Sequence, residues 1–119
     1  MRVLLVEDEA ALLALISEAL DDEGCDVTTA RDADQALATL AGDARFDVIV
    51  SDISMPGDVS GIDLATRAVE LQPDARVILV SGLAKAQLPP LPGHVSFLPK
   101  PYRLGELLSR IQDAGGAAA

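Results

Sequence analysis

A chain of 119 residues makes one domain, long enough to bury a core and too short for two. Half of it is apolar while only two Phe and one Tyr are aromatic, so the core is aliphatic, which favours a parallel sheet covered by helices. A formal charge of −10 argues against direct contact with nucleic acid or an anionic membrane, and a single cysteine excludes an internal disulfide and Cys-based zinc sites. The expected partners are proteins or cations. Cys25 reads as a small semi-buried thiol in a reducing compartment, no apolar run reaches membrane-spanning length, and Met1-Arg2 leads straight into a strand without a signal peptide. The expected setting is the cytoplasm.

Arg2 to Val6 is a buried strand that stops on the adjacent acids Glu7 and Asp8. Asp8-Glu9 then opens a helix in which Leu12, Leu13, Ile16, Ala19 and Leu20 recur at helical spacing, closed by Gly24. Asp26 to Ala30 alternates polar and apolar residues and suits an edge strand. Asp32 caps a second helix, with Gln35 completing a capping-box pattern, Ala33, Ala36, Leu37 and Leu40 as its apolar stripe and Gly42 as its stop. Asp47 to Asp52 is an apolar run ending on a carboxylate, followed by the turn signal Pro56-Gly57. Gly61 to Leu71 is a third helix, with Leu64, Ala65, Ala68 and Leu71 inward and Pro73 ending it. Arg76 to Val80 is a further buried strand, with Ser81-Gly82 at its mouth. Pro89, Pro90 and Pro92 leave room for only a short, irregular fourth helix around Ala84 to Leu88. Val95 to Leu98 is the fifth strand, followed by Pro99-Lys100-Pro101 and a last helix carrying Leu104, Leu107, Leu108 and Ile111 on one face. The domain is expected over 1–114, with 115–119 as a frayed tail.

Strand and helix alternate five times, the pattern of an α/β doubly wound sheet with helices on both faces. Such sheets bind ligands at the carboxyl ends of their strands, which is where Glu7, Asp8, Asp52, Ser81 and Lys100 all fall. Taken singly, each has a bland reading: Asp52 as a turn cap, Glu7 and Asp8 as complements to a helix N-terminus, Ser81 in a local backbone bond, Lys100 on the surface. Three carboxylates converging on one lysine repel one another unless a divalent cation sits among them, and an oxygen-only donor set suits Mg²⁺ (or Mn²⁺). A carboxylate can itself attack phosphorus to give an aspartyl phosphate. Asp52, at the centre of the sheet, is best placed to do so, with the cation, Lys100 and Ser81 each able to meet a phosphoryl oxygen.

Leu5-Val6-Glu7-Asp8, Asp52 with Met55-Pro56-Gly57, Val80-Ser81-Gly82 and Leu98-Pro99-Lys100-Pro101 together resemble the motifs of a response-regulator receiver domain of two-component signalling, over essentially the whole chain. The resemblance implies the flavodoxin-like strand order 2-1-3-4-5. It also implies Asp52 as phosphoacceptor; a metal held by Asp8, Asp52 and the main-chain carbonyl of Ser54, with Glu7 acting through water; Ser81 as switch hydroxyl and Phe97 as switch aromatic; Lys100 on the phosphoryl group; and a cis bond before Pro101. The implied donor is a sensor histidine kinase or histidine phosphotransfer protein, and the implied output a downstream protein target, with homodimerisation left open. Such a domain is not an enzyme toward other substrates, catalysing only its own phosphorylation and dephosphorylation.

The chain departs from the family pattern in three places. The loop from Met55 to Gly61 is one residue longer, the interval from Ser81 to Lys100 is shorter and proline-rich, and Phe97 replaces the commoner Tyr and so needs no hydrogen-bond partner inside. The shortened interval puts the usual dimerisation surface in doubt. Three other functions compete: a degenerate receiver serving as a phosphorylation-independent scaffold, a phosphatase turning over an aspartyl phosphate, and an FMN binder. Against the phosphatase stands Ser54, where a second acid is expected, and against the FMN binder the lack of a Gly/Ser/Thr-rich loop after Val6. His94 and Tyr102 receive no role.

Overall fold

Short aliphatic runs form the strands and longer stripes at helical spacing form the helices, so chain order already dictates alternating layers. The computed structural model describes residues 1–53, 61–81 and 95–116. Within them the elements are β1 Arg2–Val6, α1 Ala10–Asp22, β2 Asp26–Ala30, α2 Ala33–Leu40, β3 Val48–Asp52, α3 Gly61–Leu71, β4 Arg76–Ser81, β5 Val95–Pro99 and α4 Leu104–Gly116. All strand pairs are parallel, in the order β2-β1-β3-β4-β5. This is the doubly wound, flavodoxin-like order, with the Asp52 strand in the middle.

The pleat of the strands sorts the core into two layers. Leu4, Val6, Ile49, Val77 and Leu79 face Ala33, Ala36 and Leu40 of α2 and Leu64, Ala65 and Ala68 of α3. Val3, Leu5, Val48, Val50, Ile78 and Val80 face Leu13, Ile16 and Leu20 of α1 and Leu107 and Ile111 of α4. A strand buried on both faces does not alternate with polar residues, which is why β1, β3 and β4 read as mainly apolar runs with polar residues towards their ends. β2, at the edge, is mostly half-buried or exposed.

Differences from the sequence expectation are local. α1 starts at Ala10, with Glu9 in extended conformation before it and no side chain capping the helix; Gly24 ends the turn with φ 85°, a conformation that suits glycine. Asp32 does cap α2, its Oδ1 accepting from Gln35 N–H at 2.8 Å. Gln35 Oε1, however, accepts from Arg31 N–H at 3.0 Å, one residue before the position a capping box uses. β4 and β5 each run one residue further than expected, to Ser81 and Pro99, and α4 is described through Gly116, two residues into the expected tail. The irregular fourth helix, the Met55-Pro56-Gly57 turn, Ser54, Gly82, His94 and residues 117–119 lie outside the described residues.

Candidate functional site

The site is built where strands stop. β1 delivers Glu7 and Asp8, β3 delivers Asp52 as its last residue, β4 delivers Ser81 and β5 leads into Lys100. Carboxylate oxygens of Glu7, Asp8 and Asp52 all lie within 4.8 Å of one another. Glu7 and Asp52 are buried and Asp8 is more open to solvent. Lys100 Nζ donates to Asp52 Oδ2, forming an ion pair.

Backbone pairing fixes these groups. Glu7 N–H donates to Ala30 O at 3.1 Å, carrying the β1–β2 ladder one residue further. Glu7 Oε1 accepts from Glu9 N–H at 3.1 Å and so turns back over the start of α1. Lys100 N–H donates to Ser81 O at 2.7 Å, which ties the base of the lysine to the end of β4, where Ser81 is buried. The Lys100–Pro101 peptide bond is cis. Phe97 lies on the α2/α3 side of β5, half-buried against that core layer, and its carbonyl accepts from Arg110 Nη1 at 3.4 Å.

Among the described residues the electrostatics are those of crowded acids with one cation. Burial raises the Glu7 carboxyl above its ordinary range and repulsion from Asp52 adds to this, while the Glu9 N–H pulls the other way. For Lys100 burial works against the charge, but the hydrogen bond and charge of Asp52 win, and its pKa stands above the ordinary value. Tyr102, two residues past Lys100 and left without a role by the sequence, is half-buried beside the α1/α4 core layer. Its phenol is raised by burial and then by the field of Glu7. Its position at the same strand end as Lys100 was the signal available.

One lysine cannot balance three carboxylates, and the oxygen-only donor set fits a hard divalent cation such as Mg²⁺. The sequence profile of the response regulator receiver domain matches residues 3–112. The chain belongs to the response-regulator receiver family. Receiver domains are signalling domains that interact with histidine kinases and bind Mg²⁺ in an acidic site, and Glu7, Asp8 and Asp52 form such a cluster here. The chain is 32% identical over 114 residues to the response regulator receiver protein CpdR of Brucella abortus, covering 93% of each chain. It is 33% identical to the DNA-binding transcriptional regulator NtrC of Azospirillum brasilense, of which it spans only 24%. Among solved structures it is similar to a response regulator receiver protein from Sinorhizobium medicae, with TM-score 0.86 and 27% identity over 100% of this chain and 97% of that one. The receiver domain of the hybrid histidine kinase CckA superimposes with TM-score 0.81 and 30% identity, covering 96% and 98% of the two chains. No described helix is long and apolar enough to cross a membrane.

Proposed function

We propose that this receiver is a working phosphoacceptor, taking a phosphoryl group from a phosphohistidine of a sensor histidine kinase or histidine phosphotransfer protein onto Asp52. The observation that carries the reading is the convergence of Glu7, Asp8 and Asp52 at the carboxyl end of the sheet, with Lys100 Nζ on Asp52 Oδ2. Asp52 attacks phosphorus, a P–O bond forms as the P–N bond breaks, and the electron pair leaves with the imidazole, which takes up a proton. The phosphoryl oxygens carry the charge in the transition state, so fixed positive charge is what accelerates the step. Lys100 is already held at Asp52 and needs only to move from the carboxylate to a phosphoryl oxygen.

Asp8, Asp52 and the Ser54 main-chain carbonyl would hold Mg²⁺ or Mn²⁺, with Glu7 acting through water. When bound, the cation neutralises charge on the transferring group. The Ser81 hydroxyl then meets a phosphoryl oxygen, and Phe97 turns into the space it leaves. This shifts the population between two packed states and changes the surface offered to a downstream protein. We place this exchange in the cytoplasm and assign it to residues 1–114.

Intact-protein mass after incubation with acetyl phosphate, with and without Mg²⁺, tests the reading on the native chain and on Asp52→Asn. The expected result is a Mg²⁺-dependent gain of one phosphoryl group that the variant lacks. An unchanged native mass, with folding and Mg²⁺ binding intact, would overturn it in favour of the scaffold.

A further inference from the structure

The residue before Asp52 is a serine, fully buried in β3 between Val6 of β1 and Leu79 of β4. A hydroxyl in such a place is costly unless it is hydrogen-bonded, and alanine would fill the same space at no polar cost. Ser51 Oγ donates to the main-chain carbonyl of Asp52 at 3.0 Å. The other end of that same peptide unit, the Ile53 N–H, donates to Val80 O at 3.0 Å. The peptide plane that leaves the Asp52 Cα is therefore clamped at both ends, one by a neighbouring strand and the other by a side chain. β3 ends at Asp52, so this plane lies at the margin of the strand.

The Asp52 carboxylate hangs from the Cα at which the clamped plane begins. A tilt of the plane swings the carboxylate relative to Lys100, whose own backbone is fixed on Ser81. In-line attack on phosphorus depends on that alignment, and small misplacements of a reacting group cost rate rather than binding.

We propose that Ser51 is a positioning residue for phosphoryl transfer: its buried hydroxyl, by holding the Asp52 carbonyl, sets the attack direction of the Asp52 carboxylate. The inference rests on the phosphoacceptor reading of Asp52. Ser51 touches no reacting atom, so its loss acts on the rate at saturation and leaves donor binding alone.

The test compares the native chain with Ser51→Ala and Ser51→Thr, using acetyl phosphate and Mg²⁺. Three quantities are read: the phosphorylation rate at saturating donor, the half-saturating donor concentration, and hydrogen exchange at the Ile53 amide. Ser51→Ala should react about fivefold more slowly at saturation, the factor that one net hydrogen bond represents. Its half-saturating concentration should be unchanged and its Ile53 amide should exchange faster. Ser51→Thr, which keeps the hydroxyl and suits a strand, should restore both. A Ser51→Ala protein that reacts at the native rate, or slows only in proportion to its unfolded fraction, overturns the positioning role while leaving the phosphoacceptor reading intact. A native chain that takes no phosphoryl group at all removes both.

Discussion

At the amino end of the sheet polar groups are paired off one against another, whereas at the carboxyl end, among the described residues, three carboxylates are gathered around a single lysine. Arg2 N–H donates to Asp47 Oδ2 at 2.8 Å, Arg2 Nε lies 3.6 Å from Asp26, and the guanidinium stacks 5.8 Å from the centroid of the Phe46 ring. Gln72, which is 3% exposed, accepts from Phe46 N–H at 2.9 Å and donates to the carbonyls of Ala44 at 2.8 Å and Leu40 at 3.2 Å. One amide side chain thus closes the loop from α2 to β3 against the end of α3. This end also holds a cleft of about 460 Å³ beside Arg45, Phe46, Gln72 and Asp74. Arg45 there is engaged with the Gly42 carbonyl, and concavity alone supplies no chemistry. The contrast separates an end whose polar groups are satisfied within the chain from one where acids crowd, the charge of Asp52 adding to the burial that raises Glu7.

The largest way to break this contrast is at Gln72. Gln72→Leu leaves Phe46 N–H and the Leu40 and Ala44 carbonyls without this partner, a loss of about 3 kcal/mol after relaxation. Thermal unfolding should fall by roughly 10–15 °C, while Mg²⁺ binding by the protein that remains folded stays native. A near-native Tm would mean that water replaces the amide and that the amino end is not the tightly satisfied region described here. Asp32 sharpens the comparison from the other side, as a carboxylate at the carboxyl end of the sheet whose bond to Gln35 N–H is purely structural. Asp32→Ala should cost about 1 kcal/mol, seen as a shift in the urea midpoint with unchanged slope, and leave phosphorylation by acetyl phosphate as it was. A loss of phosphorylation in this variant would place Asp32 in the reactive group.

The sheet was legible because burial on both faces leaves an unbroken apolar run, and the helices because Leu13, Ile16 and Leu20, or Leu64, Ala65 and Ala68, fall on single stripes. The positions of Glu7, Asp8, Asp52 and Lys100 followed from the topology, since a parallel sheet sends every carboxyl end the same way. Gln72 was missed for a physical reason. It stands four residues after Ala68, just past the end of α3 and in line with its buried stripe, and a polar residue there signals a buried hydrogen-bonding job; which backbone groups it serves depends on a loop whose path no periodicity encodes. The pairing of Arg2 with Asp47 is likewise a contact across 45 positions, set by strand register rather than by neighbours. The Ser51 clamp was hidden because serine in a strand of aliphatics reads as neutral until the peptide plane it grips is seen.

The smallest effect is the most specific to crowded carboxylates. Glu7 holds its proton to higher pH in the folded chain than in the unfolded one, chiefly through burial and then through Asp52. Over that interval the native state binds more protons, so the Glu7 contribution to stability falls as pH rises from the ordinary value of 4.5 through the raised one. Lys100, also raised, acts elsewhere: its contribution is complete below its ordinary value of 10.5 and is lost only as pH rises through the folded value, so it leaves the neutral range flat. Glu7→Gln keeps an acceptor for the Glu9 N–H and removes the charge. In buffer free of divalent cations the variant should therefore gain roughly 3 °C over the native chain near neutrality, with the difference shrinking toward pH 4.5. Added Mg²⁺ should stabilise the native chain more than Glu7→Gln and close the gap, because a cation relieves the repulsion that the substitution has already removed. A difference that ignores both pH and Mg²⁺ would show that Glu7 is held by its backbone bond alone and belongs with the satisfied groups of the other end.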